Sequence, residues 1–177
     1  PHIKAGAEAI VVTASGCGTA VQEYGHLLQH DAAYANKATR VSALFRDVSQ
    51  VISSEQNRLQ ELLKKSIKSN SYKIAFHTPC SLQHGLKLKN IVEPLLSAAG
   101  FTLTNVPDAH LCCGSAGTYS ITQPELSKQL LKNKVTALES GAPDLIATAN
   151  IGCLTHIQSG ASKNVKHWIE ILDERLA

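Results

Sequence analysis

Short apolar runs, each followed by a longer helical pattern, narrow what this chain can become more than any other feature. Ala9-Ile10-Val11-Val12-Thr13, Lys73-Ile74-Ala75-Phe76-His77 and Asp144-Leu145-Ile146-Ala147-Thr148 are continuously apolar rather than alternating, as in strands covered on both faces. Thr102-Leu103-Thr104-Asn105-Val106 and Asn164-Val165-Lys166-His167 are two further candidates. Leu88 to Ala99 carries Leu88, Ile91, Val92, Leu95 and Leu96 on one stripe and stops at Gly100. Pro124 to Ser140 opens on a first-turn Pro and stops before Gly141, and Trp168 to Leu176 closes the chain. Strands alternating with helices predict a parallel sheet and an α/β fold.

The middle reads differently. From Ala32 to about Ser69 no strand signal appears, while Val41, Leu44, Phe45, Val48 and Ile52 keep helical spacing, and Leu59, Leu62, Leu63 and Ile67 continue it. Ser69-Asn70-Ser71 reads as a loop, which sets a boundary near residues 68–72.

A repeat then organises the whole. Gly6-Ala7, an apolar strand, Thr13-Ala14 and Gly16-Cys17 return as Gly141-Ala142, an apolar strand, Thr148-Ala149 and Gly152-Cys153. Val41-Ser42-Ala43-Leu44-Phe45 loosely matches Val165-Lys166-His167-Trp168-Ile169. Residues 72–177 then form a complete unit, 57–71 a helical linker, and 1–56 the C-terminal part of an equivalent unit. A start at Pro1, in a chain that has no Met, agrees with a piece of something longer.

The five cysteines are Cys17, Cys80, Cys112, Cys113 and Cys153. An odd count, an adjacent pair and no visible export signal argue against a disulfide framework. In the complete unit, 31 residues separate Cys80 from Cys112 and 39 separate Cys113 from Cys153. Each thiol follows a predicted strand, and in a parallel sheet those strand ends share the edge where open α/β folds bind ligands. Four thiolates suit an iron–sulfur cluster or zinc. His77, His84 and His110 lie near cysteines in sequence, placed either to hydrogen-bond a bound cluster or simply to bond backbone. His26 and His30, at i and i+4 on a predicted helix, lack a third ligand and read as surface or packing residues. Trp168 reads as core. Ser115 and Ser120 have no visible base partner, which leaves hydrolase chemistry without support.

Composition excludes other classes. The net charge is +3, and no Lys/Arg run marks a nucleic-acid or polybasic membrane patch; Lys64, Lys65 and Lys68 read as a solvated helix face. No apolar stretch approaches the ~18 residues of a membrane span.

Leu111-Cys112-Cys113-Gly114, with Cys80 upstream and Gly152-Cys153 downstream, resembles the cysteine-rich CCG domain. The family pattern is a single Cys, a long spacer, Cys-Cys-Gly, a second spacer and Cys-x-x-Cys; it occurs, typically twice per chain, in heterodisulfide reductases and related redox proteins. The stretches Thr13 to Gly18, Glu23 to Leu28, His77 to Gly85 and His110 to Tyr119 are similar to the iron–sulfur subunits of glycolate oxidases. That resemblance implies Cys80, Cys112, Cys113 and Cys153 as metal ligands, for one [4Fe–4S] cluster. It makes Cys17 the half-site of a first repeat. It implies no catalytic residue in this chain. Electrons would arrive from FAD-containing partner subunits that oxidise glycolate to glyoxylate, and leave toward a membrane acceptor. The related lactate and glycerol-3-phosphate dehydrogenase complexes are the alternative. The setting implied is the cytoplasm or the inner face of a membrane, with no nucleic-acid partner.

The sequence departs from the pattern where a second Cys is due. It reads Cys153-Leu154-Thr155-His156, and in the first repeat Cys17-Gly18-Thr19-Ala20. His156, with His77 and His110, then lies beside the thiols or joins them, and three thiols plus His156 fit tetrahedral zinc. Adjacent cysteines tend to diverge, so one of the pair is free to stand outside the ligand set. Two further readings stay open: a structural module with zinc or no metal, and a thiol enzyme in which His110 lowers the pKa of Cys112 or Cys113.

Overall fold

The computed structural model describes residues 2–65 and 72–177. The loop expected at 68–71, and Ile67, lie outside the described residues. The first part runs β1 (Ile10–Val12), α1 (Ser15–Leu27), α2 (Ala35–Leu44), β2 (Phe45–Asp47), α3 (Val48–Ser54) and α4 (Gln56–Lys65). The second runs β3 (Lys73–His77), a π-helical turn (Ser81–Gly85), α5 (Glu93–Ala98), β4 (Thr102–Leu103), α6 (Tyr119–Thr122), α7 (Pro124–Glu139), β5 (Leu145–Thr148), α8 (Ile151–Gln158), β6 (Val165–His167) and α9 (Trp168–Leu176). The fold is α/β, with every described strand pair parallel.

Strands β3 to β6 form one sheet in the order β4-β3-β5-β6. The chain leaves β3 toward one side and β5 toward the other, so the topological switch point lies between them, where open α/β sheets bind ligands. Ile74 and Phe76 face one side, with Leu95, Leu96, Trp168 and Leu172. Ala75 and Ile146 face the other, with Cys113, Leu138, Cys153 and Ile157. His77, two residues on from Ala75, extends the second face to the C-terminal edge and pairs in register with Thr148.

Strand β1 pairs with β2 in a separate two-stranded sheet, with Ile10 opposite Phe45 and Val12 opposite Asp47. Phe45, Val48 and Leu59 share the Ile74 and Trp168 core, so the two parts are fused by apolar burial. Polar contacts repeat the junction. Ser15 Oγ lies 2.7 Å from Ser81 Oγ, Gly16 N–H donates to Asn150 Oδ1 (3.3 Å), and Ser15 N–H to Ala149 O (3.3 Å). His167 Nδ1 accepts from Ile169 N–H (3.3 Å), which leaves Nε2–H to donate to Thr13 O (2.9 Å).

Several expectations are corrected. Strand β2 exists where only helical spacing was visible, because three residues between two helices carry no periodic signal of their own. It leads into α3 through an Asp47 capping box, as β6 leads into α9 through a His167 capping box. The counterpart of Val165–His167 is thus Phe45–Asp47, four residues beyond the match read at Val41. The helix expected from Leu88 begins only at Glu93, since Lys87 and Asn90 sit at φ 59° and 55°, outside helical space. Strand β4 stops at Leu103 because its pairing with β3 ends at Ile74. Helix α1 ends at Leu27, so His30 does not share it with His26. Trp168 is core, as expected.

Candidate metal centre

Three loops deliver the thiols to the switch point. Strand β3 ends at His77, and Thr78-Pro79 carries the chain to Cys80, the N-terminal cap of the π-helical turn. The loop after β4 brings in Cys112, Cys113 and Gly114, and Cys153 sits in the first turn of α8. Cys113 and Cys153 are buried, Cys80 and Cys112 half-buried. The donor atoms of His77, Cys113 and Cys153 all lie within 4.8 Å of one another. Cys112 interacts with both Cys80 and Cys113, and Cys113 with Cys153, so the four thiols form a continuous set. The adjacent pair divides its work: Cys112 reaches toward Cys80, and Cys113 toward Cys153.

The thiols share protons among themselves. Cys112 is held far below the ordinary thiol range by hydrogen bonding from Cys113 and then from Cys80, with Gly114 N–H (3.3 Å) adding. Cys153 falls to about 5, chiefly through Cys113, against the opposing effect of burial and with help from His77 and Asn150. Asn150 Nδ2 lies 3.6 Å from Cys153 Sγ. Cys80 and Cys113 are pushed up as the donors of that pattern, Cys113 by Cys112 first and Cys153 next. Four neighbouring thiols, two of them acidified by the others, make a soft donor set that a thiophilic metal would complete by displacing their protons.

His77 is 2% exposed, and neither ring nitrogen has a hydrogen-bond partner at ordinary length, although the ring stands close enough to Cys153 to lower that thiol. A buried imidazole with no partner beside a thiol set is explained by a bound metal group that it ligates or hydrogen-bonds. The residues therefore fit a thiolate-held metal or iron–sulfur group. The depressed thiol at Cys112 owes its shift to its neighbouring cysteines; His110 is exposed and does not figure among the causes.

Other residues hold the loops. Gly114 adopts φ +94°, and a Cβ there would lie 2.5 Å from Ser127 O. Ser127 Oγ–H donates to Gly114 O (2.9 Å), which leaves His156 Nε2–H as the donor to Ser127 Oγ (3.2 Å). His156 thus braces the Cys-Cys-Gly turn from behind. Gln83 Nε2 donates to Thr78 O (3.2 Å) and His110 O (3.3 Å), which ties the Cys80 loop to the Cys112 loop. Lys134 Nζ donates to Asp108 O (3.0 Å) and Ala109 O (3.2 Å). Sequence reading passed over Gln83, Ser127, Lys134 and Asn150. Of these only Lys134 left a trace, as a Lys at a position of the Leu131, Val135 and Leu138 stripe. Cys17 occupies the third position of α1, as Cys153 does in α8, but it is exposed where Cys153 is buried.

The chain is similar to known proteins along nearly all of its length. Residues 74–158 match the cysteine-rich domain family CCG. The chain is 54% identical over 176 residues to the glycolate oxidase iron–sulfur subunit of Escherichia coli K12, covering 99% of this chain and 42% of that one. It is 28% identical over 156 residues to the probable glycolate oxidase iron–sulfur subunit of Bacillus subtilis 168, covering 88% of this chain and 34% of the other. Lactate utilization protein A of Geobacillus kaustophilus is 30% identical over 174 residues, covering 93% of this chain and 70% of its own. The chain thus spans less than half the length of the two glycolate oxidase relatives. With sequence likeness along nearly all of its length and four thiols gathered at the sheet's switch point, the chain belongs to the cysteine-rich CCG-domain family that includes glycolate oxidase iron–sulfur subunits and lactate utilization protein A.

Proposed function

We propose that this chain supplies the cysteine-rich portion of an iron–sulfur electron-transfer subunit in a glycolate oxidase-like complex. The observation that carries the reading is the continuous set of Cys80, Cys112, Cys113 and Cys153, two of them buried beside an unpartnered His77. Cys80, Cys112, Cys113 and Cys153 hold the group, with His77 beside them as a hydrogen-bonding or ligating residue. A [4Fe–4S] cluster bound there supplies one-electron redox chemistry. The chain's own residues hold the sulfurs in place, cover Cys113 and Cys153 from water, and lower the cost of charge through the Gly114 and Asn150 N–H groups. Glycolate would lose two electrons and two protons at FAD on partner subunits, and the electrons would leave toward a membrane acceptor. The likeness to lactate utilization protein A makes lactate the competing substrate of the parent complex. Residues 72–177 form the complete CCG unit and 1–56 part of an equivalent one, joined through 57–71. The recurrence of strand, helix, strand and capped helix supports that division. Among the described residues no helix is long and apolar enough to cross a membrane.

The test is iron, sulfide and zinc analysis with EPR on protein purified without oxygen. About four iron and four sulfide per chain, lost in Cys112→Ser, is the expected result. Stoichiometric zinc without iron would replace the redox reading with a structural one, in which His77, Cys113 and Cys153 supply three of the tetrahedral ligands.

A further inference from the structure

We propose that Lys134 is the built-in counter-charge of the cysteine site, a positioning residue that pins the Cys112–Cys113 loop and offsets the negative charge gathered on the sulfurs. The inference rests on the reading of the thiols as a metal centre. Lys134 lies on α7 between the apolar positions Leu131 and Leu138, and is only 2% exposed. A buried ammonium is costly unless it is both hydrogen-bonded and balanced by charge. Its hydrogen bonds go to the carbonyls of Asp108 and Ala109, at 3.0 and 3.2 Å, just upstream of Cys112. Carbonyl dipoles satisfy donors but do not neutralise a charge. Among the described residues no carboxylate oxygen forms an ion pair with Lys134.

The negative groups that act on it are the cysteine sulfurs and the Asp108 carboxylate. Lys134 and Cys112 line the same small cavity, about 170 Å³ in volume, with Asp108, Leu111 and Leu130. Burial pulls the ammonium's pKa down, and the charges that oppose this are Cys113, Cys112, Asp108 and Cys153, three of them thiols of the site. The relation is reciprocal: a fixed positive charge that the thiolates stabilise must stabilise them equally, and must favour whichever state of a bound centre carries more negative charge. Lys134 thereby raises the reduction potential of that centre, in addition to holding the loop.

The experiment compares Lys134→Gln, Lys134→Met and Lys134→Arg in the intact, iron-loaded subunit, by redox titration followed with EPR. Gln can donate to the two carbonyls without charge, and Arg keeps charge in a larger head. At the wild-type midpoint, the reduced-to-oxidised ratio should fall about tenfold in the Gln and Met variants, equivalent to ~59 mV for a one-electron couple. It should stay near wild type in the Arg variant. An unchanged ratio in Lys134→Gln, with its melting temperature lowered, would reduce Lys134 to a loop pin and overturn the proposal. If the wild-type protein takes up no iron, the electron-transfer reading fails, and the counter-charge proposal falls with it.

Discussion

Gly114→Ala is the sharpest probe of how the Cys-Cys-Gly turn is built. Gly114 stands at φ +94°, and a Cβ would meet Ser127 O at 2.5 Å, with His156 Nε2 and Leu130 Cβ both at 3.2 Å. The positive φ alone costs roughly 1–2 kcal/mol for an L residue. The overlap adds about 1–3 kcal/mol, because the atom in the way is a backbone carbonyl of α7 rather than the tip of a mobile side chain. The total is about 2–5 kcal/mol, a large share of the stability of a domain this size. Gly117→Ala is the matched control: φ is +57° and nothing lies within 4 Å of its Cβ, so it carries strain without collision. Urea unfolding of the metal-free proteins should show Gly114→Ala at least ~1 kcal/mol less stable than Gly117→Ala. Iron per chain should drop as well, because displacing Gly114 moves the N–H that holds Cys112 Sγ. Equal stabilities with full iron content would refute the argument that α7 dictates this turn.

Other residues give independent tests. His167→Ala removes the cap of α9 and the bond to Thr13 O, and should cost about 2 kcal/mol in a denaturant melt, roughly half from each loss. Asn150→Ala removes the contacts to both Cys153 Sγ and Gly16 N–H. It should accelerate iron loss to a chelator, while Ser159→Ala, on the exposed end of the same segment, leaves the rate unchanged. Burial raises the Asp47 carboxyl above its ordinary value, against hydrogen bonds from Ser49 that lower it. A folded-state pKa above the unfolded one favours folding in acid, and that advantage disappears as pH rises through the raised value. Asp47→Asn should therefore gain stability at neutral pH, on the order of 1 kcal/mol. The gain should shrink as urea melts are run toward pH ~4, where wild type is itself protonated.

The parts of this protein that depend on local pattern were legible in the sequence. Continuous apolar runs gave three of the strands to within a residue at either end, and Pro124 and Trp168 mark the true starts of α7 and α9. The four cysteines could be assigned to one sheet edge because parallel strands put their C-terminal ends together whatever the intervening loops do. Elements defined by partners were hidden. Phe45–Asp47 is a strand only because β1 lies beside it, and Leu88 to Asn90 leaves the helix although its apolar spacing is intact. The same division runs through the site. Sequence marked the thiols and nearby histidines, since those side chains announce their own chemistry. Which histidine stands among the sulfurs was decided by the alternation of β3 against β5, which puts His77 on the Ala75 face, while the packing of α7 turns His156 toward Ser127. Gln83, Lys134 and Asn150 are ordinary polar residues on sequence grounds. They acquire roles only from what the fold sets opposite them, because a hydrogen bond or a charge has a local cause but a tertiary partner.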